Sequence, residues 1–348
     1  MNMILNNGVV RVVLLGTLLL GITSGILGVF TLLRKQALIG DALSHSTLPG
    51  VVIMFVITQS KDVNILIIGA AFSAALAMLL INLLKRYSKI SSDAVLALIL
   101  SSFFGFGRFL ISLISRYPDF SKARLDDFIF GSAATIVERD VYNLIITGLI
   151  VIFIILISYR QIKVHTFDSQ YYRSLGFSST LIDFLVSFMT IIVIVLGIRT
   201  VGVILMSALL IVPGIAARQW SDKLGINIML AALFGSLSAI VGTMYSVNYT
   251  GGLPTGPVIV IVGTIIAIIS IMFAPKRGLI AKDIKRRSHK KHVIKYKKLI
   301  HLALNSDDYL DDNDSSFLIN EGLIRADNNQ FYLTTSGYNL INKLMKGE

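Results

Sequence analysis

Apolar and polar positions divide the chain into two unlike parts. Along roughly the first 275 residues, long apolar runs recur with short polar breaks between them. They lie near 9–33, 37–58, 63–84, 93–115, 141–159, 180–198, 201–219, 226–247 and 256–274. Each approaches the ~20 residues that a helix needs to cross ~30 Å of hydrocarbon. The runs are continuous and lack a period of two, which predicts helices rather than barrel strands. Almost nothing joins 180–198 to 201–219, so a re-entrant or broken helix stays open there. The stretch 117–140 has an apolar centre too short to cross and reads as an external loop with a short interfacial helix. After residue 275 the pattern changes. HVIKYKKLIHLAL (His292–Leu304) reads as an amphipathic helix. An acidic run SDDYLDDND, a helix-like FLINEGLI, a hairpin RADNNQFYLTT turning at Asn328 and Asn329, and a last helix SGYNLINKLM follow.

The predicted fold class is an all-α polytopic membrane protein of about eight to nine transmembrane helices, with a small α+β cytoplasmic C-terminal extension. The expected organisation is a transmembrane domain over 1–275, a basic juxtamembrane linker over 276–291, and a winged-helix-like extension over 292–348. Composition agrees with a membrane protein: 54% of the 348 residues are hydrophobic, and the mean hydropathy is +0.75. Met1–Gly8 lacks a basic n-region and the first apolar run is long enough to span, so no cleavable signal peptide is expected. There is no cysteine, which excludes disulfides, thiolate metal sites and cysteine nucleophiles.

Charge sets the expected orientation. Residues 1–275 hold 18 Lys+Arg against 11 Asp+Glu, whereas 276–305 hold 11 Lys+Arg and a single Asp. Residues 306–348 reverse the sign, with three Lys+Arg and eight Asp+Glu. A basic block directly after the last apolar run marks a cytoplasmic boundary facing anionic membrane lipid. Counting back, Arg34/Lys35, Lys85/Arg86/Lys89, Arg160/Lys163/Arg173 and Arg218/Lys223 fall on the same side. The N-terminus is therefore expected outside and the C-terminus in the cytoplasm, in a multi-pass protein of the cell membrane.

Within this apolar frame, the run RKQALIGDALSHSTLPG (Arg34–Gly50) carries Asp41 and His45 four residues apart, hence on one helix face. An aspartate deep in the bilayer costs roughly 2.5–3.5 kcal/mol on insertion scales, and such residues usually mark an ion or proton route. A carboxylate and an imidazole together suit divalent Mn, Fe or Zn. Two ligands do not complete a site, so the rest would come from another helix, a backbone carbonyl, water or a symmetry mate. The residues alone leave two other readings open: a structural pair with Asp41 held by Arg34 or Lys35, and a proton relay. The chain has no G-x-x-x-x-G-K-[ST] motif and no Gly-Lys pair, so it cannot build a P-loop. The expectation is not an enzyme; if transport is ATP-driven, the chain must borrow ATP hydrolysis from a partner.

The segment ALIGDALSHSTLPG closely resembles the second-helix signature of the ABC-3 family of membrane permeases, the transmembrane subunits of ATP-binding-cassette importers for manganese, zinc and, in some members, iron. VGVILMSALLIVPGIAARQWSDKLG (Val201–Gly225) is similar to the family's late-helix signature. GGLPTGPVIVIVG (Gly251–Gly263) is similar to the start of its final span, and HTFDSQYYRSLGFS (His165–Ser178) resembles its cytoplasmic coupling segment. The resemblance implies that Asp41 and His45 form the pathway metal site. It implies that Phe167, Asp168, Tyr171, Leu175 and Gly176 belong to the segment that docks on the ATPase. Pro49, Pro213 and Pro254 would then mark the pathway or gating helices. The implied partners are cytoplasmic ABC ATPase subunits, an extracytoplasmic metal-binding receptor protein, and a second permease copy, as homo- or heterodimer. No bound cofactor is expected; the divalent metal is cargo.

Two other function classes use the same residues. A secondary metal–proton carrier would employ the Asp41/His45 pair with protonation as the driving event. A membrane-tethered regulator would use the extension on DNA. The extension resembles the second half of a winged-helix domain, but 305–315 is too short and too acidic for a full helix-turn-helix, and phosphate binding wants a basic face. No nucleic acid is expected. His289 and His292, set among lysines and arginines, read as part of a contact with anionic lipid or the ATPase.

Overall fold

The computed structural model describes residues 8–60, 62–115, 138–249, 253–304, 312–327 and 330–346. It forms two compact units, Met1–Ala274 and Pro275–Glu348. The first contains α1 (Gly8–Leu33), α2 (Ile39–Thr58), α3 (Val63–Tyr87), α4 (Ser92–Ile114), α5 (Glu138–Phe167), α6 (Ser169–Ser174), α7 (Ser179–Val201), α8 (Val203–Trp220), α9 (Leu224–Asn248) and α10 (Thr255–Phe273). Among the described residues, eight of these are long and apolar enough to cross a membrane, and Leu205–Trp220 is a shorter apolar helix. The all-α polytopic fold is thus as the apolar pattern predicts. The interfacial helix expected within 117–140 falls largely outside the described residues.

The boundaries follow local chemistry. Asp62 caps α3 by accepting from the Asn64 backbone N–H at 2.9 Å, and Ser91 caps α4 by accepting from the Ala94 N–H at 3.4 Å. Between α7 and α8 only Gly202 intervenes, at φ +85°. That conformation is open to glycine at little cost and strained for other residues, so a single residue separates two helices. The larger departure from the sequence pattern is α5. It runs 30 residues to Phe167, about 45 Å at ~1.5 Å per residue. That exceeds ~30 Å of hydrocarbon, so the region 160–167, expected as loop, is the projecting end of a helix.

Lipid tails are as apolar as leucine, so helix association in a membrane relies on close packing and internal hydrogen bonds. α2 and α3 meet at Gly50 and Gly69, where a Cβ on either would strike the other's backbone. Ser73 Oγ donates across the same contact to the Ser46 carbonyl at 2.6 Å. α1 packs on α9, with Thr17 Oγ1 and Thr243 Oγ1 3.1 Å apart. Buried hydroxyls otherwise turn back on their own helix, as Thr190 Oγ1 does to the Val186 carbonyl at 2.8 Å. The core gathers Leu27, Phe30, Leu43, Ile81, Leu96, Ile194 and Met206, all nearly inaccessible.

The second unit holds α11 (Leu279–Lys295), α12 (Lys297–Leu304), α13 (Asp312–Asn320), an antiparallel hairpin β1 (Ile324–Asp327) and β2 (Gln330–Leu333), and α14 (Thr335–Lys346). The hairpin pairs Ile324 with Leu333 and Asp327 with Gln330; Asn328 and Asn329 lie outside the described residues. The single amphipathic helix expected over 292–304 is divided at Tyr296, whose ring is buried with Leu299, Leu318, Ile324 and Ile341. The helix expected at FLINEGLI starts earlier, at Asp312, and ends at Asn320. Leu323 N–H then bonds back to the Leu318 carbonyl at 3.0 Å, which turns the chain into β1. Glu321 ties the corner: its Oε2 accepts from Tyr296 Oη at 2.9 Å and its Oε1 lies 3.3 Å from Lys295 Nζ. The Tyr296 hydroxyl and then the Lys295 ammonium hold the Glu321 carboxyl below its ordinary range.

Candidate metal site and coupling segment

Asp41 lies in the first turn of α2 and His45 one turn later. His45 Nε2 is 3.4 Å from Asp41 Oδ1, with side chains 20% and 35% exposed. Ala42, Leu43, Ser44, Ser46 and Thr47 are buried, so the pair sits on the one strip of this helix segment that stays open. The Phe104 ring from α4 meets the imidazole edge-on, centroids 4.9 Å apart, and restricts its rotation. Pro49 follows within the helix. Having no N–H, it cannot satisfy the His45 carbonyl four residues back. A carboxylate oxygen, an imidazole nitrogen and a carbonyl without its helical donor thus occupy neighbouring positions on one helix. Among the described residues no group of three or more His, Cys, Asp or Glu could hold a metal.

Arg34, a possible partner for Asp41 on sequence grounds, is engaged elsewhere. Its Nη2 lies 2.9 Å from Asp183 Oδ1 on α7, and its side chain is only 9% exposed. Burial lowers the Arg34 pKa, and the Asp183 carboxylate opposes that shift. Asp183 Oδ1 also lies 3.0 Å from His165 Nε2, at the end of α5. Sequence reasoning missed this second Asp–His pair. It counted Arg34 as an orientation signal and read Asp183 inside an apolar run. The signal was present: a lone carboxylate in an apolar segment, the criterion that singled out Asp41.

The residues expected to dock on an ATPase gather around α6. Asp168 is its N-cap, with Oδ1 accepting from the Gln170 and Tyr171 N–H groups at 3.1 and 2.8 Å. Phe167, Tyr171 and Leu175 are exposed. Gly176, at φ +82°, turns the chain back toward α7. Tyr172 faces the other way, buried between His165 and Phe177 at 5.4 and 5.3 Å. A hollow of about 500 Å³ borders Phe167, Lys163 and the α8–α9 connection at Asp222 and Lys223. The three prolines lie on different elements. Pro49 is near His45, Pro213 is buried within α8, and Pro254 is the exposed residue before α10. Around Pro213 the packing between α8, α9 and α10 leaves a cavity of only about 10 Å³.

The model of the ABC 3 transport family matches residues 6–274, the whole helical unit apart from its first residues. The chain belongs to this family. It is 42% identical over 275 residues to the zinc transport system membrane protein TroC of Treponema pallidum, covering 79% of this chain and 92% of that one. It is 38% identical over 287 residues to the manganese transport system membrane protein MntC of Bacillus subtilis, covering 81% of this chain and 66% of the relative. The solved structure of PsaBC from Streptococcus pneumoniae in complex with Fab superposes with a TM-score of 0.69 at 27% identity, over 79% of this chain and 95% of that one. The chain is an ABC transporter permease of the metal-transport class. The family match ends where the helical unit ends, so the second unit lies beyond it.

Proposed function

We propose that the chain forms the translocation pathway of an ATP-driven importer for Mn or Zn, with Asp41 and His45 as ligands the ion meets on its way in. The observation that carries the reading is that Asp41 has His45 as its ion-pair partner among the described residues, while Arg34, one of the two cations that precede it in sequence, is held by Asp183. An acidic oxygen without a cationic partner, beside an imidazole, is a ligand set for a divalent first-row metal. The remaining ligands would come from water, the His45 carbonyl, or the same residues of a second permease copy. Zinc and manganese are the metals in the names of the relatives, which narrows the three metals open from sequence to two. Family membership favours ATP coupling over a proton-driven carrier.

In this reading α6 faces the cytoplasm, and Phe167, Tyr171 and Leu175 are the apolar contacts for a separate ATPase. The basic segment from Lys276 lies against anionic lipid, the N-terminus is outside, and residues 1–275 form the permease domain. An extracytoplasmic receptor delivers the metal. Elemental analysis of cells carrying the full transporter set tests the reading. Asp41→Ala and His45→Ala, at matched membrane levels, are each expected to lower accumulated Mn or Zn on the order of tenfold or more, since losing even an outer partner of a ligand typically costs 10–100-fold. Normal accumulation in both variants would make the pair structural.

A further inference from the structure

At one end of the helical unit five helix termini bring ionisable side chains together. Arg34 follows α1, Lys85 is in the last turn of α3, Asp93 in the first turn of α4, His165 near the end of α5, and Asp183 near the start of α7. Asp183 is the hub. One oxygen, Oδ1, lies 2.9 Å from Arg34 Nη2 and 3.0 Å from His165 Nε2. Both partners are almost fully buried, at 9% and 7% exposure, whereas the Asp183 side chain is about half exposed at 52%. A further cation lies near the hub. The Lys85 ammonium is buried with no hydrogen-bond partner among the described residues, within electrostatic reach of Asp93, Asp183 and Arg34.

This arrangement stands between α6 and α2. Tyr172, the buried face of α6, packs on the His165 ring. On the other side, Arg34 opens the short connection into α2, where Gln36 N–H bonds to the Thr31 carbonyl and Ile39 N–H to the Gln36 carbonyl. Two residues after Ile39 comes Asp41. A push on α6 moves His165 against the oxygen that also holds Arg34. The shared carboxylate thus links the end of α5 to the start of the connection into α2, and a further cation nearby would allow the alternative pairing that a transmitting element requires.

We infer that Asp183 is a positioning residue that couples α6 to α2 by exchanging Arg34 for Lys85 when α6 is displaced. The inference rests on the importer reading above. It assigns no contact with the metal to Asp183; its effect on the ion passes through Arg34 and the setting of α2. It follows that ATP hydrolysis by the partner and movement of the ion are separable by mutation at this cluster.

The test uses proteoliposomes holding the permease with its ATPase and receptor, with Mn²⁺ or Zn²⁺ uptake and ATP hydrolysis measured on the same sample. Asp183→Asn is expected to keep hydrolysis near the wild-type rate while metal moved per ATP falls about tenfold, within the usual range of coupling between sites. Asp183→Glu restores the ratio. Should Asp183→Asn not assemble, Lys85→Gln carries the test, because it removes a group that makes no hydrogen bond in the resting arrangement. It is expected to lower the same ratio, and non-additively in combination with Arg34→Lys. An unchanged ratio in the variants that assemble overturns the inference, as does a parallel loss of hydrolysis and uptake, which would show a merely structural tie. A wild-type complex that hydrolyses ATP without moving either metal overturns the importer reading, and the inference with it.

Discussion

The permease holds two Asp–His pairs built from the same chemistry and arranged to opposite ends. Asp41 and His45 are four residues apart on one helix, 3.4 Å between oxygen and nitrogen, with both side chains partly open. His165 and Asp183 come from different helices, 3.0 Å apart, and share the carboxylate with Arg34. In the second pair the negative charge is answered from within the protein, so an arriving divalent ion would have to displace a guanidinium. In the first, an imidazole is the ion-pair partner among the described residues, and an imidazole can itself be a ligand. The difference shows that residue type alone does not make a metal site. A buried or half-buried carboxylate is free to take a metal only where the fold has not already paired it with a cation.

The comparison breaks most severely if the open pair is closed. Phe104→Lys would place an ammonium beside His45 and Asp41, where the aromatic edge now sits 4.9 Å from the imidazole. Metal accumulation is expected to fall to background with membrane level unchanged, measured by elemental analysis. Unchanged accumulation would remove charge as the distinction between the pairs.

Opening the closed pair is the next largest perturbation. Arg34→Gln removes the cation of a partly buried ion pair, for which charged contacts are worth up to roughly 1.5–3 kcal/mol. Asp183 is half exposed, so the lower end of that range is expected, read as a reduced thermal midpoint of the purified permease. A smaller effect is expected at the segment beside it. Asp168→Ala deletes the N-cap of α6 and costs about 1 kcal/mol, with faster proteolysis between Phe167 and Gly176 as the readout.

The smallest change concerns the second unit, where another carboxylate is closed by neighbours but at the surface. Glu321 has its pKa lowered by the Tyr296 hydroxyl and Lys295, from an ordinary value of 4.5. Its contribution is therefore complete above that value and is lost as pH falls through the lower folded value. Lys295 is shifted upward from 10.5, chiefly by its bond to Tyr296 and then to Glu321, so its contribution is lost only as pH rises through the raised value. Hydrogen exchange across β1 and β2 in the full chain is expected to quicken modestly in acid, and Glu321→Gln to flatten that dependence. An equal acid response in the variant would detach the corner from Glu321.

The sequence by itself determined the helical membrane fold, since runs of about 20 apolar residues have no other way to satisfy their backbone in lipid. Eight of the nine expected spans have the length and hydropathy to cross, and the ninth is the shorter apolar helix after Gly202. Asp41 and His45 were also visible, because a spacing of four fixes a shared helix face without knowledge of any other helix. Pro49 belongs with them for the same local reason. Pro213 and Pro254 lie on other elements, so how they stand to Pro49 depends on which helices pack together. Where Arg34 goes is set by packing. Asp41 is seven residues from it and Asp183 is 149 residues away, yet the bundle brings the start of α7 to the end of α1 and turns the guanidinium there. Local spacing can be read along a chain. The choice of a charge's partner among several helix ends follows from how those helices pack.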